Sequence, residues 1–292
     1  MSKTQKTAVV TGASTGIGYG CVEKLVSKKW HVFAAVRKPE DAKRLTDAFG
    51  DSVTPLFMDV TDQPAIDKAA AQVRDALDGR TLNGLVNNAG VAVAGPILEL
   101  PIEDFERQIA INLTGQLRVT QAFGPLLGAD LALEGPPGRI VMMSSMAGEM
   151  GAPFLAPYAA SKHGLEGLSK SLRRELNVFG IQVIVIGPGA VSTPIWAKSD
   201  EVDVSGYEKS VFYDALVGLR NYMSSMGEKG FPPSKIADRV YRAFTDAKPN
   251  FRYAIVPQRF TNWTLPKLLP ARKVDELVTK RLGLTQRFRL KN

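Results

Sequence analysis

The sequence predicts an α/β protein in which seven parallel strands form one sheet with helices on both faces. Short β-branched runs alternate with longer stretches whose apolar residues recur at three- and four-residue spacing. Consecutive parallel strands need crossover helices, and right-handed crossovers distribute those helices over both faces. No Pro/Gly/Ser-rich linker, internal repeat or low-complexity stretch divides the chain. We therefore expect residues 1–292 to form a single domain of three layers.

The elements follow in chain order. The candidate strands are 7–11, 31–36, 53–60, 82–89, 138–145, 181–187 and 253–256. Helical spacing is found over 16–29, 63–77, 103–127 and 157–179. Residues from about 194 to 232 mix aromatic and charged side chains without a clear period. We expect this segment to be irregular and to form a substrate lid beyond the carboxyl ends of the strands, where doubly wound sheets bind ligands.

Composition indicates a globular protein, since 45% of the residues are hydrophobic and 23% are charged. The single cysteine, Cys21, cannot form an intrachain disulfide, and the N-terminal segment lacks the apolar stretch of a secretion signal. These features favour a cytoplasmic protein. The formal net charge is +8, but much of the excess lies from Lys267 onward. The charge therefore indicates a basic tail and not a nucleic-acid interface.

The basic C-terminal extension, about 258–292, has two possible surroundings. Residues 271–282 have an apolar face and predict an amphipathic helix. This helix and the apolar residues before it could lie on an anionic membrane surface. The favoured alternative is a helix packed on the body of the protein. The apolar residues concerned are Trp263, Leu265, Leu268 and Leu269.

A glycine-rich loop comes directly after the first strand and leads into a helix. It reads Thr11-Gly12-Ala13-Ser14-Thr15-Gly16-Ile17-Gly18. Glycines allow a tight turn and let backbone N–H groups approach a pyrophosphate at the positive end of the helix. Glycines alone also occur in ordinary strand-to-helix turns. The spacing T-G-x-x-x-G-x-G differs from the usual dinucleotide fingerprint G-x-G-x-x-G.

Further motifs follow this loop in a fixed order. They are Asp59, Asn87-Asn88-Ala89-Gly90, Asn112, Ser145, Tyr158-x-x-x-Lys162 and Pro188-Gly189. Together with the loop, they make residues 5–195 resemble the short-chain dehydrogenase/reductase family. This resemblance implies a Rossmann-type fold and hydride transfer between a nicotinamide cofactor and a carbonyl or alcohol. The flanking sequence is similar to the branch that contains retinol, hydroxysteroid and 3-hydroxybutyrate dehydrogenases.

The resemblance also implies which residues meet the cofactor. The pyrophosphate would lie against Gly12, Ser14, Thr15, Gly16, Ile17 and Gly18, and the adenine against Asp59 and Val60. The middle of the cofactor would contact Asn88, Ala89 and Gly90, and the nicotinamide end Tyr158, Lys162, Pro188, Gly189, Val191 and Thr193. Members of the family associate through the helices at 103–127 and 157–179, which implies a homodimer or homotetramer.

The cofactor preference follows from the residues after the second strand. A carboxylate at this position would bind the ribose hydroxyls of NAD and repel a 2′-phosphate. Here the chain reads Val36-Arg37-Lys38. Arg37 can bind a phosphate with two hydrogen bonds, and Lys38 adds a second positive charge. The sequence therefore predicts a preference for NADP(H), whereas the alternative for this pair is an ordinary solvated loop.

Tyr158 and Lys162 lie four residues apart near the start of a helix that Pro157 introduces, so their side chains share one face. A nearby ammonium and the charge of oxidised nicotinamide favour the phenolate, so we expect the pKa of Tyr158 to fall. Ser145 is the candidate to bind the substrate oxygen, with Ser144 as the alternative. The resemblance implies that Asn112 holds a water linked to Lys162.

The expected substrate is lipophilic, because the segments near the nicotinamide are apolar. The candidate contact residues are Ser145, Met150, Phe154, Tyr158, Ile195 and Trp196. Alternatively, the apolar residues of this group simply pack the lid. The rival functions are a 3-oxoacyl thioester reductase and a non-catalytic NADP(H)-binding regulator. His31 and His163 have no partners suited to a metal, and no metal site is predicted.

Overall fold

The computed structural model of the chain describes residues 4–193 and 205–284. Its centre is a seven-stranded sheet of order β3-β2-β1-β4-β5-β6-β7 in which every neighbouring pair is parallel. The strands are β1 (Thr7–Val10), β2 (His31–Val36), β3 (Val53–Phe57), β4 (Gly84–Asn87), β5 (Arg139–Met143), β6 (Gln182–Pro188) and β7 (Arg252–Ile255). The order reverses between β1 and β4, which creates the crevice where ligands bind in such sheets.

Helices connect the strands in the expected crossover pattern. They are α1 (Gly16–Ser27), α2 (Pro39–Phe49), α3 (Gln63–Leu77), α4 (Ile102–Ile109), α5 (Gly115–Phe123), α6 (Ala156–Glu175), α7 (Tyr213–Glu228), α8 (Pro233–Thr245), α9 (Leu265–Leu268) and α10 (Ala271–Arg281). The predicted α/β, doubly wound three-layer sandwich is confirmed. The single-domain boundaries 1–292 stay a prediction.

The core consists of two apolar layers, one on each face of the sheet. Along β1, Ala8 and Val10 enter one layer, while Val9 between them enters the other. All six residues of β2 are buried. This pattern arises because a central parallel strand is covered on both faces, so that its sequence reads as one continuous apolar run. The two layers hold the carboxyl ends of β1, β4, β5 and β6 in fixed positions.

The helix predicted over 103–127 is divided into α4 and α5. Between them, Ala110–Thr114 forms a π-helical turn, and Asn112 lies inside it. Such turns leave part of the backbone out of the regular hydrogen-bond ladder and are often found at functional sites. A π-helical turn contains one residue more than an α-helical turn, and the helical spacing in the sequence does not reveal it.

The prediction of irregular structure over 194–232 is wrong for residues 213–228, which form α7. The buried face of α7 consists of Ala215, Leu216, Leu219 and Met223. These residues pack around Phe154 in a third apolar cluster. Aromatic residues before this helix obscured its period. Residues 194–204 lie outside the described part of the chain.

The C-terminal extension begins with a π-helical turn at Phe260–Thr264 and continues into α9 and α10. The predicted helix at 271–282 is confirmed as α10. Trp263 of the π-turn is only 6% exposed, so this part of the extension packs on the body of the protein. In the described part of the chain, no helix combines the length and the apolar character needed to span a membrane.

Candidate active site

The glycine loop is shaped by close backbone contacts. Gly12 and Gly16 have φ values of +62° and +57°, a region that favours glycine. A Cβ on Gly12 would lie 3.0 Å from the Cα of Ala89, and a Cβ on Gly18 would overlap the carbonyl oxygen of Gly12. The loop ends at the N-terminus of α1, whose first turn contains no acidic residue. These features fit a dinucleotide, since the free N–H groups of the helix attract a pyrophosphate.

Thr11 joins this loop to the segment after β4. Its hydroxyl oxygen accepts hydrogen bonds from the backbone N–H groups of Asn88 at 2.8 Å and Ala89 at 2.9 Å. The same hydroxyl donates to the carbonyl of Val86 at 3.2 Å. The Asn88 amide in turn donates to the Thr11 carbonyl at 2.9 Å. The structure therefore brings the loop and the Asn88–Gly90 segment together.

The candidate 2′-phosphate site lies at the end of β2. Arg37 is exposed, and its guanidinium lies 3.6 Å from the carboxylate of Asp59. Burial raises the pKa of Asp59, but hydrogen bonds from Thr61 and the charge of Arg37 outweigh this effect and lower it overall. Lys38 is also exposed, 3.8 Å from Glu40. Both cations have only loose carboxylate partners, so they are available to an anionic ligand.

Val60 differs from the other predicted contacts at this end of the site. It is 5% exposed, and it packs so closely on Gly115 that a Cβ there would lie 2.8 Å from Val60 Cγ2. The Val60 side chain therefore belongs to the core, and only its backbone can face a cofactor. Ile17 similarly packs against the core with part of its side chain.

The other predicted cofactor residues lie at the end of β6. The Gly189 N–H donates to the Ile255 carbonyl at 2.9 Å, which fixes the turn after Pro188. Val191 is buried and pairs with Phe231 in an isolated bridge, while Thr193 is the last described residue before the gap. A cavity of about 350 Å³ connects this end to α1. Its lining consists of Gly16, Tyr19, Gly20, Glu23, Ser192, Pro233 and Ser234.

Ser145, Tyr158 and Lys162 meet at the carboxyl end of β5. A hydrogen bond links the Tyr158 hydroxyl to Ser145. Ser145 follows β5 and accepts a hydrogen bond from the Ala147 N–H at 3.1 Å. The Lys162 ammonium lies 5.7 Å from the centre of the Tyr158 ring and donates to the Met143 carbonyl at 2.8 Å. The fold thus brings together three residues that the sequence placed on two different elements.

Burial controls the two titrating groups. It raises the pKa of Tyr158, and the hydrogen bond with Ser145 only partly offsets this effect. Burial lowers the pKa of Lys162 to about 8, although the charge of Glu166 acts in the opposite direction. The predicted fall in the Tyr158 pKa is therefore wrong for the protein by itself. Desolvation of the phenolate outweighs the hydrogen bond with Ser145, and the Lys162 ammonium donates to the Met143 carbonyl instead of to the phenol oxygen.

Ser144, the alternative to Ser145, is less suited to bind substrate. Its hydroxyl oxygen is fully buried and has no hydrogen-bond partner among the described residues. A Cβ on Gly148 would lie 2.5 Å from it, so the hydroxyl points beneath the loop. Ser145, which reaches Tyr158, is the better candidate.

The Asn112 side chain joins the segment after β4 to α6. Its side-chain oxygen accepts from the Val91 N–H at 2.9 Å, and its amide donates to the Val91 carbonyl at 2.9 Å and to the Ser161 hydroxyl at 3.2 Å. Asn112 is completely buried. In the described structure, it ties the segment after β4 to α6, three residues from Tyr158.

The predicted substrate contacts differ in their surroundings. Phe154 is 8% exposed and meets Phe212 edge to face at 5.8 Å between ring centres. These contacts favour the alternative that Phe154 packs the lid. Met150 is partly exposed on the same loop. Ile195 and Trp196 lie outside the described residues.

A family model described as "short chain dehydrogenase" matches residues 6–203. The chain belongs to this family. It is an oxidoreductase, and the resemblance drawn from its motifs is confirmed.

Three known proteins show how far the likeness extends. The chain is 36% identical to the NADPH-dependent 3-dehydrocapnine reductase of Ornithobacterium rhinotracheale over 96% of its own length and 98% of the relative. It is 30% identical to mouse retinol dehydrogenase 5, with coverage of 92% and 86%, respectively. The structure of a short-chain dehydrogenase from Streptomyces avermitilis has a TM-score of 0.76 and 27% identity, and the match covers 98% of this chain and 100% of that one. The predicted branch with retinol dehydrogenases is thereby confirmed.

The sequence reasoning missed several residues of this short-chain dehydrogenase site. Thr11 stood in the quoted motif, but its side-chain role requires the contact with the β4 segment. Arg44 of α2 donates to the Ser14 carbonyl at 2.5 Å and so reaches the glycine loop from a helix that carries no recognisable motif. Glu166 and Arg252, which pair behind the Ser145 backbone, were also missed.

The two histidines have structural partners. His31 is buried and contacts the Thr54 hydroxyl at 2.9 Å, and His163 contacts the Ala159 carbonyl at 2.9 Å. Among residues 4–193 and 205–284, no three His, Cys, Asp or Glu side chains converge as metal ligands would.

Proposed function

We propose that this protein catalyses the NADP(H)-dependent interconversion of a lipophilic carbonyl compound and its secondary alcohol. The observation that carries this proposal is the half-buried Tyr158, whose hydroxyl is hydrogen-bonded to Ser145, with Lys162 one helical turn away. A bound nicotinamide would supply the hydride. Ser145 would orient the substrate oxygen by a hydrogen bond, and Tyr158 would donate its proton to this oxygen during reduction.

Lys162 would stabilise the phenolate left after this proton transfer. Its ammonium already lies over the Tyr158 ring. Among the described residues, no other cation contacts this ring. Asn112 would keep the segment around Val91 against α6, so that the cofactor and Tyr158 retain their spacing. The glycine loop, the segment 88–90 and the end of β6 would hold the cofactor along the crevice.

The preference for NADP(H) rests on Arg37 and Lys38. Both side chains are exposed at the end of β2, about two-thirds of each being accessible, and Arg37 adjoins Asp59. The NADPH dependence in the name of the relative from Ornithobacterium rhinotracheale supports this preference. The lipophilic substrate is supported by the apolar loop that carries Met150 and by retinol dehydrogenase as a relative. The cytoplasmic location and the homodimer or homotetramer stay predictions.

The proposal is tested by Tyr158→Phe. We expect kcat to fall by about 1000-fold, because general acid catalysis of this kind contributes factors of about 10² to 10⁴. Binding of NADPH, followed by its fluorescence, should change less than twofold. Tyr241→Phe in α8, where the ring lies beside Lys24 and Lys28 of α1, is the control and should retain full activity.

The substrate panel contains ketosteroids, retinoids, aromatic ketones and 3-oxoacyl thioesters, each assayed by NADPH oxidation. The proposal requires the highest kcat/KM on a lipophilic ketone or aldehyde. A preference for the thioesters would support the rival reductase, and binding of NADPH without turnover of any compound would indicate a regulator. A Tyr158→Phe variant within tenfold of wild-type kcat would contradict the mechanism.

A further inference from the structure

A buried ion pair lies behind the catalytic residues. Glu166 follows Tyr158 and Lys162 along one face of α6, and it is 4% exposed. Its carboxylate accepts a hydrogen bond at 3.0 Å from Arg252, which begins β7. The same guanidinium donates to the backbone carbonyl of Ser145 at 3.2 Å. One arginine therefore joins the backbone of the proposed substrate-binding serine to the helix of the proposed proton donor.

The serine loop packs closely onto this ion pair. A Cβ on Gly148 would lie 2.9 Å from Glu166 Cγ, and a Cβ on Gly187 would lie 2.5 Å from Arg252 Nη2. At both positions, only the absence of a side chain lets the backbone approach the charged groups. The geometry of the Ser145 loop is thus fitted to the Arg252–Glu166 pair.

The C-terminal extension also contacts Arg252, directly through Trp263 and indirectly through Lys267 and Glu149. Glu149, in the loop after Ser145, forms an ion pair with Arg252 at 2.9 Å through one oxygen and pairs with Lys267 of α9 through the other. The Trp263 ring covers both cations, with its centre 4.9 Å from the Arg252 guanidinium and 3.6 Å from Lys267 Nζ. Contacts of this kind stabilise cations most where water is excluded, and the Arg252 side chain is 14% exposed.

Desolvation makes a buried ion pair costly, and replacement by apolar residues of similar shape is often neutral or stabilising. Packing alone therefore gives no reason for a charged pair at this place. The charge of Glu166 does act on a neighbouring group. Glu166 lies one turn beyond Lys162 and favours the ammonium form of Lys162, which burial disfavours. Loss of Arg252 would leave Glu166 as an uncompensated buried carboxylate, which tends to take up a proton and lose this effect.

We propose that Arg252 and Glu166 are positioning residues of the reaction. Arg252 fixes the Ser145 backbone, and Glu166 stabilises the charge of Lys162. The segment 263–267 holds Arg252 in place. This inference rests on the roles proposed above for Ser145, Tyr158 and Lys162. The C-terminal extension then takes part in catalysis. The sequence predicted only that it lies on a membrane surface or packs on the body of the protein.

The charged and titratable groups around Lys162 are few in the described structure. Tyr158 and Glu166 face it from its own helix, and the Met143 carbonyl faces it from β5. Arg252 of β7 lies behind Glu166, and Glu149 and Lys267 lie behind Arg252. Substitution of Glu166 consequently changes the charge nearest to Lys162 without altering the reacting groups.

The first experiment compares Arg252→Met and Arg252→Lys with Arg139→Met. Arg139 is the matched control, because it lies at the amino-terminal end of β5 and donates to the carbonyls of Ala243 and Asp246, both at 2.8 Å. For Arg252→Met we expect kcat to fall by about 100-fold, as a small displacement of a positioned group can cause. The NADPH Kd should change less than twofold, and Arg252→Lys should recover at least tenfold of the lost kcat.

The second experiment uses Glu166→Gln and Trp263→Ala. Glu166→Gln should move the alkaline limb of the kcat/KM profile to lower pH, because the negative charge that favours the Lys162 ammonium is removed. Trp263→Ala should lower kcat about fivefold, since it uncovers Arg252 without contacting the reacting groups. Both are measured with NADPH and the aromatic ketone of the panel that the wild type reduces fastest. If Arg252→Met does not fold, these two variants decide the matter.

A purely structural pair would give a different pattern. Arg252→Met and Arg139→Met would then lower Tm and kcat to similar extents, and the alkaline limb of Glu166→Gln would stay where it is in the wild type. That result overturns the inference. Failure of the proposed mechanism is recognised separately, because it appears as residual turnover in Tyr158→Phe with Arg252, Glu166 and Trp263 intact.

Discussion

The glycine loop and the proposed catalytic centre both lie at the carboxyl ends of the strands, but they are held together differently. In the loop, the closest contacts are between backbone atoms of neighbouring segments, as between Gly12 and Ala89. At the catalytic centre, side chains from α6, β7 and the C-terminal extension surround the serine loop. The first region should therefore be sensitive to added volume, and the second to changes of charge.

The largest loss of cofactor affinity is expected at Gly18. A methyl group from Gly18→Ala would overlap the Gly12 carbonyl and displace the loop. We expect the NADPH Kd to rise about 100-fold, equivalent to about 2.7 kcal/mol, in a fluorescence titration. Gly218→Ala in α7 is the control, because its Cβ would meet no atom within 4 Å. Equal affinities in the two variants would show that backbone volume does not control the loop.

The part of the cofactor site that would hold the adenosine tests whether charge also matters in the first region, next to the glycine loop. Arg37→Asp should repel the 2′-phosphate and offer a carboxylate to the ribose hydroxyls of NADH. We expect the NADPH-to-NADH ratio of kcat/KM to fall by about 100-fold, since a charge-assisted pair is replaced by a repulsive one. Lys43→Asp, which makes the same charge change on α2, should leave the ratio within threefold. An unchanged ratio in Arg37→Asp would refute the assignment.

The smallest expected effect is a pH dependence, which tests the role of the Lys162 charge at the proposed catalytic centre. The Lys162 pKa of about 8 predicts that kcat/KM for reduction is level below this pH and declines above it as the ammonium is lost. Tyr158 keeps its proton over this range because burial raises its pKa. The measurement is a pH profile from 6 to 10 with NADPH. A rate that stays level to pH 10 would mean that Lys162 does not supply the charge.

Much of the first region could be predicted from the sequence because its function depends on contiguous residues. Gly12, Gly16 and Gly18 stand in a short motif next to a strand, and a strand followed by a helix fixes where that motif points. Tyr158 and Lys162 were predictable for the same reason, since four residues of helix put both side chains on one face. Helix α7 was missed because its aromatic neighbours hid the spacing of Leu216, Leu219 and Met223.

The surroundings of the catalytic residues required the folded chain. The sequence by itself determined the order of strands and helices, the glycine loop and the choice of Ser145, Tyr158 and Lys162. Only the tertiary structure decided that Arg252, 86 residues beyond Glu166, pairs with it and reaches Ser145, and that the extension covers this pair. The physical reason is that backbone periodicity is local, whereas burial sets the charge state of Lys162 and depends on every element that excludes water from it.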